Sequence, residues 1–212
     1  MDRDTARARI QQALAFRTDK ATEIINALQD AQVILERGAV LPWFLQTEVS
    51  SITTVVGEER VPIPSDFLRE WEEDPLSYFV AGTGGDDDAW TELAKEDLAF
   101  LRNAYPGSGA PVAYALDVKY FRIFPTPSEI FTLKMIYYKS DVVLSTNVEN
   151  EWLKYYPYLL IGEAGRLFSP ALRDKEATAQ FSRWAAEGRA LMLVENEARI
   201  HSSRRYVMGG VD

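Results

Sequence analysis

The stretch Asn150-Glu-Trp-Leu-Lys-Tyr-Tyr-Pro-Tyr-Leu-Leu-Ile-Gly-Glu-Ala164 decides how this chain is built. Pro157 has no backbone N–H and a fixed φ, so it breaks a helix that runs through it but suits the first turn of a new one. The stretch predicts a short helix over 149–155 and another that begins at Pro157. In the second, Leu159, Leu160, Ala164, Leu167 and Phe168 recur at helical spacing and give an apolar face. Ser169-Pro-Ala-Leu reads as a turn. Asp174 to Arg199 then reads as one helix of about 26 residues, about 39 Å long at about 1.5 Å per residue. Its apolar stripe is Ala177, Phe181, Trp184, Leu191, Val194 and Ala198. Beyond it, Ile200-His-Ser-Ser-Arg-Arg-Tyr-Val-Met-Gly-Gly shows no apolar period, and an extended tail over 200–212 is expected.

Working outward, residues 3–16 and Lys20 to Arg37 read as two N-terminal helices, the second stopped by Gly38. Ile24, Ile25, Leu28, Ala31 and Leu35 give that second helix its buried face. Between the helical ends the texture changes. Trp43–Val56 is rich in β-branched and aromatic residues and reads as strand. Gly57-Glu-Glu-Arg reads as a turn and Arg60-Val-Pro-Ile-Pro as an edge strand. Ser65 reads as the cap of a helix over Asp66–Glu73, Ser77–Ala81 as a strand and Gly82–Asp88 as a loop. Trp90–Asn103 reads as a helix. Val112–Leu116, Tyr120–Phe124 and Phe131–Tyr138 alternate apolar and polar residues, as an antiparallel meander does. The expected class is α+β, mainly α. Residues 1–38 and 149–199 form a helical bundle, residues 39–148 an inserted antiparallel β-rich part, and residues 200–212 an extended C-terminal docking tail.

Charge is unevenly spread. Of a net −9, residues 39–118 hold fifteen acids against four bases, a balance of −11. Residues 199–212 hold Arg199, Arg204 and Arg205 against Asp212. Such an acidic surface repels phosphate, which argues against gripping DNA. There is no cysteine and one histidine. That excludes disulfides, thiolate metal sites, cysteine nucleophiles and a multi-histidine metal centre within the chain. A catalytic triad would need His201, in the expected tail. No apolar run is long enough to cross a bilayer, and the charged N-terminus does not read as an export signal.

Chemistry is otherwise scarce. Asp86, Asp87 and Asp88 follow glycines, but their spacing is not that of a calcium loop. Gly82-Thr-Gly-Gly lacks the lysine and the strand-to-helix setting of a phosphate loop. Glu70, Glu72, Glu73 and Asp74 form either an acidic surface or paired carboxylates. Tyr137, Tyr138, Trp152, Tyr156 and Tyr158 are either core or a subunit contact, since Tyr and Trp give wide contact at low entropy cost. Arg199, Ile200, Arg204, Arg205, Tyr206, Val207 and Met208 have the composition of a segment that orders on a partner. No cofactor and no catalytic residue is expected.

Taken in order, several segments resemble the head-to-tail adaptor proteins of short-tailed bacteriophages. They are the N-terminal helices, Val61-Pro-Ile-Pro-Ser-Asp-Phe-Leu-Arg, Met135-Ile-Tyr-Tyr, the 150–164 stretch, and the long last helix with its arginine-rich end. The resemblance implies a structural, non-enzymatic virion protein at the head–tail junction. It implies a homo-oligomer, a dodecameric ring below the portal protein, that extends the DNA channel and presents a rim to the tail nozzle protein. Double-stranded DNA would pass without specific binding, and no membrane is involved. The bundle would pack between neighbours, and Arg199 to Gly210 would reach the portal. Glu70, Glu72, Glu73, Asp74, Asp86, Asp87 and Asp88 would line the channel or rim. Two other readings stand beside it: a different tail-completion or nozzle-proximal protein, and a carboxylate-dependent hydrolase using Glu72 or Asp74.

Overall fold

A computed structural model describes residues 1–71, 75–79 and 90–207, the last eight of these by backbone alone. In chain order the first elements are α1 (Arg3–Ala13), α2 (Ala21–Glu36), β1 (Gln46–Thr53), β2 (Arg60–Pro62), β3 (Phe67–Glu70), β4 (Leu76–Phe79), β5 (Trp90–Glu92) and β6 (Ala94–Lys95). There follow α3 (Leu98–Ala104), β7 (Ser108–Gly109), β8 (Ala113–Leu116), β9 (Tyr120–Phe124), β10 (Thr126–Pro127) and β11 (Thr132–Lys139). The chain ends with α4 (Glu151–Tyr155), α5 (Pro157–Phe168) and α6 (Lys175–Val207). It is an α+β chain in two units: Met1–Leu45 with the described residues from Ser140 onward, and Gln46–Lys139.

The helical unit is organised on α5, which packs against α1, α2, α4 and α6. Pro157 occupies the first turn of α5. The Asn150 side chain caps α4, accepting from the Leu153 N–H at 3.2 Å. Leu159, Leu160, Ile161 and Ala164 are fully buried. So is Phe181 of α6. The approach of α5 to α6 is close enough to require glycine. A Cβ on Gly162 would lie 2.4 Å from the Ala185 backbone nitrogen, and one on Gly165 would lie 2.2 Å from the Phe181 ring. The Glu163 carboxylate, buried between the two helices, accepts from Arg166 at 2.6 Å and from Arg189 at 2.5 Å.

The helical unit is larger than the spans 1–38 and 149–199. Leu41, Phe44, Leu45 and Leu144 are buried in it, and the Phe44 ring stacks 5.2 Å from Tyr155 and meets Trp152 edge-on at 5.3 Å. Residues Trp43–Leu45 form a 3₁₀ turn, so the strand expected from Trp43 begins at Gln46. The first helix, expected through Phe16, stops at Ala13. Ala15 and Phe16 take left-handed φ values of 52° and 61°, which no α-helix accommodates, and Phe16 is exposed.

The other unit holds two sheets that share one core. In the first, β11 is central and pairs with β1, β3 and β4, and β5 extends the β4 edge; all are antiparallel. The second runs β2–β9–β8–β6, with β6 parallel to β8. Leu133, Met135 and Tyr137 of β11 alternate into the core, against Val61, Tyr114, Phe121 and Ile123 of the second sheet. A short parallel pair, β7 with β10, lies outside both.

Three expectations fail in this unit. The meander does not form: β8 and β9 are a hairpin, but β11 belongs to the other sheet. Phe67–Glu70 is a strand on β11 rather than a helix. Phe67 packs against the rings of Phe121 and Tyr137 at 5.8 and 5.6 Å, and this contact outweighs the local cap signal. The helix expected over Trp90–Asn103 is two short strands followed by α3. Asp97 is the cap there, its carboxylate accepting from Ala99 N at 2.8 Å and Phe100 N at 3.2 Å.

Candidate interaction surfaces

The end of α6 departs most from expectation. The helix continues to Val207, so Ile200, Arg204, Arg205, Tyr206 and Val207 are helical in backbone rather than extended. Met208 lies outside the described residues. The reason is legible in retrospect: nothing between Ala198 and Val207 is proline or glycine, and arginines near a helix C-terminus oppose its dipole favourably.

Before that end, Asn196 and Arg199 hold the segment Leu41–Trp43, and Glu195 holds Tyr156. Asn196 accepts from the Trp43 N–H at 3.2 Å and donates to the Leu41 carbonyl at 2.9 Å. Tyr156 donates its hydroxyl to Glu195. Burial, and then that acceptor, push the Tyr156 hydroxyl pKa up. The Arg199 guanidinium lies 3.6 Å above the Trp43 ring centroid, a cation–π contact. Arg199, expected in the docking tail, is therefore an anchor of the helix to its own unit.

The five aromatics do not form one cluster. Trp152 and Tyr156 are buried in the helical unit. Tyr137 is buried in the β unit, where its hydroxyl donates to Asp66 at 2.9 Å. Burial and this acceptor push the Tyr137 pKa up to about 12. Tyr138 is half-buried beside Trp71. Tyr158 is half exposed, with its ring edge-on to Trp184 at 5.6 Å.

Of the seven acids expected at a channel or rim, only Glu70 lies among the described residues. It is not a free surface charge. Its carboxylate accepts from the Tyr114 hydroxyl at 2.7 Å and pairs with Lys95. Burial, and then Glu70, raise the Tyr114 pKa. Nearby, Arg122 is buried between Glu59 and Asp117, 3.0 Å from the latter. Across the whole sequence the span Gln46–Lys139 carries sixteen acids and eight bases, so −8 of the net −9 belongs to the β unit.

Sequence reasoning missed a buried pair of carboxyls. Glu36, the last residue of α2, and Asp141 are each 9% exposed. The Oε1 atom of Glu36 accepts from Gln32 at 2.9 Å, from the Asp141 N–H at 3.1 Å and from the Trp152 indole at 3.4 Å. Asp141 accepts from the Val142 N–H at 2.8 Å and the Trp152 N–H at 3.2 Å. Burial raises both pKa values despite these donors. Only long-range packing brings the two together, so no motif announces them. Their donors are main-chain, amide and indole groups that fix the α2–α4 joint, which is structural work.

Among the described residues no cluster of three or more His, Asp and Glu side chains is arranged to hold a metal ion, and no helix is long and apolar enough to cross a membrane. A search of curated proteins finds no match. The family described as SU10 adaptor protein, a family of phage head–tail adaptors, matches residues 1–209.

Proposed function

The chain belongs to the SU10 adaptor protein family, and on that premise we propose that it forms the adaptor ring between the portal protein and the tail nozzle protein. A structural role in the virion, with oligomeric assembly and contacts to portal and tail proteins, follows from membership of a phage adaptor family. The ring, taken as a dodecamer, and its continuation of the DNA channel are the finer reading. The observation that carries it is the match over nearly the whole chain. The two-unit build supports it: a helical unit tied by close helix packing, and a β unit that carries almost all the net negative charge.

The C-terminal segment from Ile200 through Met208 is the portal-docking element in this reading, and it begins as a continuation of α6. Arg199 sets its starting point by fixing the preceding turn on Trp43. Part of the β unit's acidic excess, including Glu72, Glu73, Asp74 and Asp86–Asp88, faces the channel and keeps passing DNA from adhering.

Electron microscopy of the protein with and without purified portal tests the proposal. Rings seated on the portal are the expected result. A chain that binds only the nozzle protein refutes it. Deletion from Ile200 onward leaves a folded protein that no longer joins the portal in a pull-down; retained joining removes the docking role. Reversing the acids named above slows DNA ejection, and unchanged ejection removes the channel role.

A further inference from the structure

Two apolar grooves mark the helical unit. The first, of about 550 Å³, lies between α2 and the end of α5, where Val33, Ile34 and Leu167 stand 44%, 44% and 42% exposed. The second, of about 350 Å³, lies between the start of α5 and the middle of α6, where Tyr158 and Leu191 stand 51% and 52% exposed around Trp184. Single exposed apolar residues are ordinary; grouped ones mark contact surfaces.

Tyr158 and Leu167 are nine residues apart on α5. At about 100° per residue this is two and a half turns, so the two grooves open on opposite sides of one helix.

Their rims differ in sign. Asp30 and Glu23 border the first groove. Glu23 is paired with Lys20, whereas the Asp30 side chain has no hydrogen bond or ion pair among the described residues. At the second, the positive charge is Arg9, 5.8 Å over the Tyr158 ring; Lys154, 5.1 Å over the Tyr155 ring, is paired with Glu151 at 3.7 Å. Glu187 also borders the second groove, but Arg183 holds it at 2.7 Å. Each groove thus complements the other in charge and not itself. Two such surfaces on opposite sides of a subunit give head-to-tail association, the arrangement from which closed rings are built.

We propose that the α2–α5 groove of one copy receives the Tyr158–Trp184–Leu191 face of a second copy of this chain, with Asp30 of the first opposite Arg9 of the second. This rests on the oligomeric reading above and names its two surfaces.

The chain has no cysteine, so single thiols report contacts without background. Full-length Ile34→Cys and Leu191→Cys proteins are mixed, oxidised mildly with and without portal, and imaged. The mixed disulfide between the two variants exceeds both same-site dimers. Same-site dimers in excess overturn the proposal. Rings without the mixed disulfide sink the surface and leave the adaptor role standing. Mixed disulfides in a protein that never joins portal sink the adaptor role and leave the surface. Neither ring nor disulfide overturns both.

A charge swap gives an independent arm. Asp30→Arg and Arg9→Asp each weaken self-association at least about tenfold, because like charges then face each other. The double variant, in which every contact again pairs opposite signs, restores it. A double variant as weak as the singles overturns the proposed pairing.

Discussion

Gly162→Ala adds one methyl group where α5 meets α6. The new Cβ would sit 2.4 Å from the Ala185 nitrogen, 2.8 Å from the Phe181 carbonyl oxygen and 2.9 Å from the Ala185 Cα. Carbon contacts are comfortable at about 3.5–4.0 Å, so the helices must part by about 1 Å. All three obstructing atoms are backbone, and no rotamer change relieves them. Overfilling a core costs about 1–3 kcal/mol, and this case sits at the upper end. Alanine returns about 1 kcal/mol through its better helix propensity. The net loss is about 2 kcal/mol, a large share of a typical total of about 5–15 kcal/mol. Gly165→Ala meets the Phe181 ring at 2.2 Å, and that ring is fully buried, so its loss is similar. Gly107→Ala is the control: a Cβ there meets nothing within 4 Å. Urea unfolding followed by far-UV circular dichroism, which weights the helical unit, reads the midpoint, with the slope checked for constancy. Because two units can unfold separately, tryptophan fluorescence is followed alongside. Phe181→Leu in the Gly165→Ala background shows a favourable coupling energy, since the smaller side chain makes room. If Gly162→Ala and Gly165→Ala both unfold within about 0.5 kcal/mol of the parent, the close-approach reasoning is wrong.

Three further outcomes are expected. Glu36 and Asp141 have raised pKa values, so their buried charge is a cost above those values that vanishes as pH falls toward the ordinary 4.5 and 3.8. Glu36→Gln therefore gains stability relative to the parent as pH rises above the ordinary 4.5 in paired urea titrations; a difference independent of pH refutes the assignment. Arg122→Ala strands Glu59 and Asp117 beside a buried space and lowers β-unit stability by about 2 kcal/mol, discounted from about 3–5 kcal/mol because both acids are partly exposed. A melting temperature unchanged by that substitution contradicts it. Arg199→Ala costs about 1 kcal/mol in the same unfolding assay and speeds amide exchange in the last turns of α6, and unaltered exchange rules out the anchor.

Much of the helical unit could be read from the chain. Pro157 at a helix start and the 3.6-residue stripe of α5 are local signals with local causes. In the β unit the Asp97 cap is masked, because Trp90 and Leu93 lend the preceding strands an apparent helical period. The partition of strands between two sheets was not legible. It depends on β11 pairing with residues about 60 to 90 positions earlier, and loop closure over such distances leaves no mark on the strands themselves. The interaction surfaces divide the same way. Composition flagged the aromatics and arginines, yet Trp152 and Tyr156 turned out to be core and Arg199 an internal clamp. What separates a contact aromatic from a core one is the neighbour that covers it, and that neighbour is supplied by the fold.

The chain leaves the helical unit after Leu45 and returns at Ser140, and the first and last strands of the intervening stretch are laddered together, Gln46 opposite Tyr138. Such a stretch behaves as a plug-in cassette with both leads at one socket. Closing a loop of this length freely costs only slightly more than closing a short one, and the ladder meets most of that cost itself. Exchanging the cassette for one of another shape, or adding residues at its far tips, therefore leaves the helical scaffold's own folding nearly untouched.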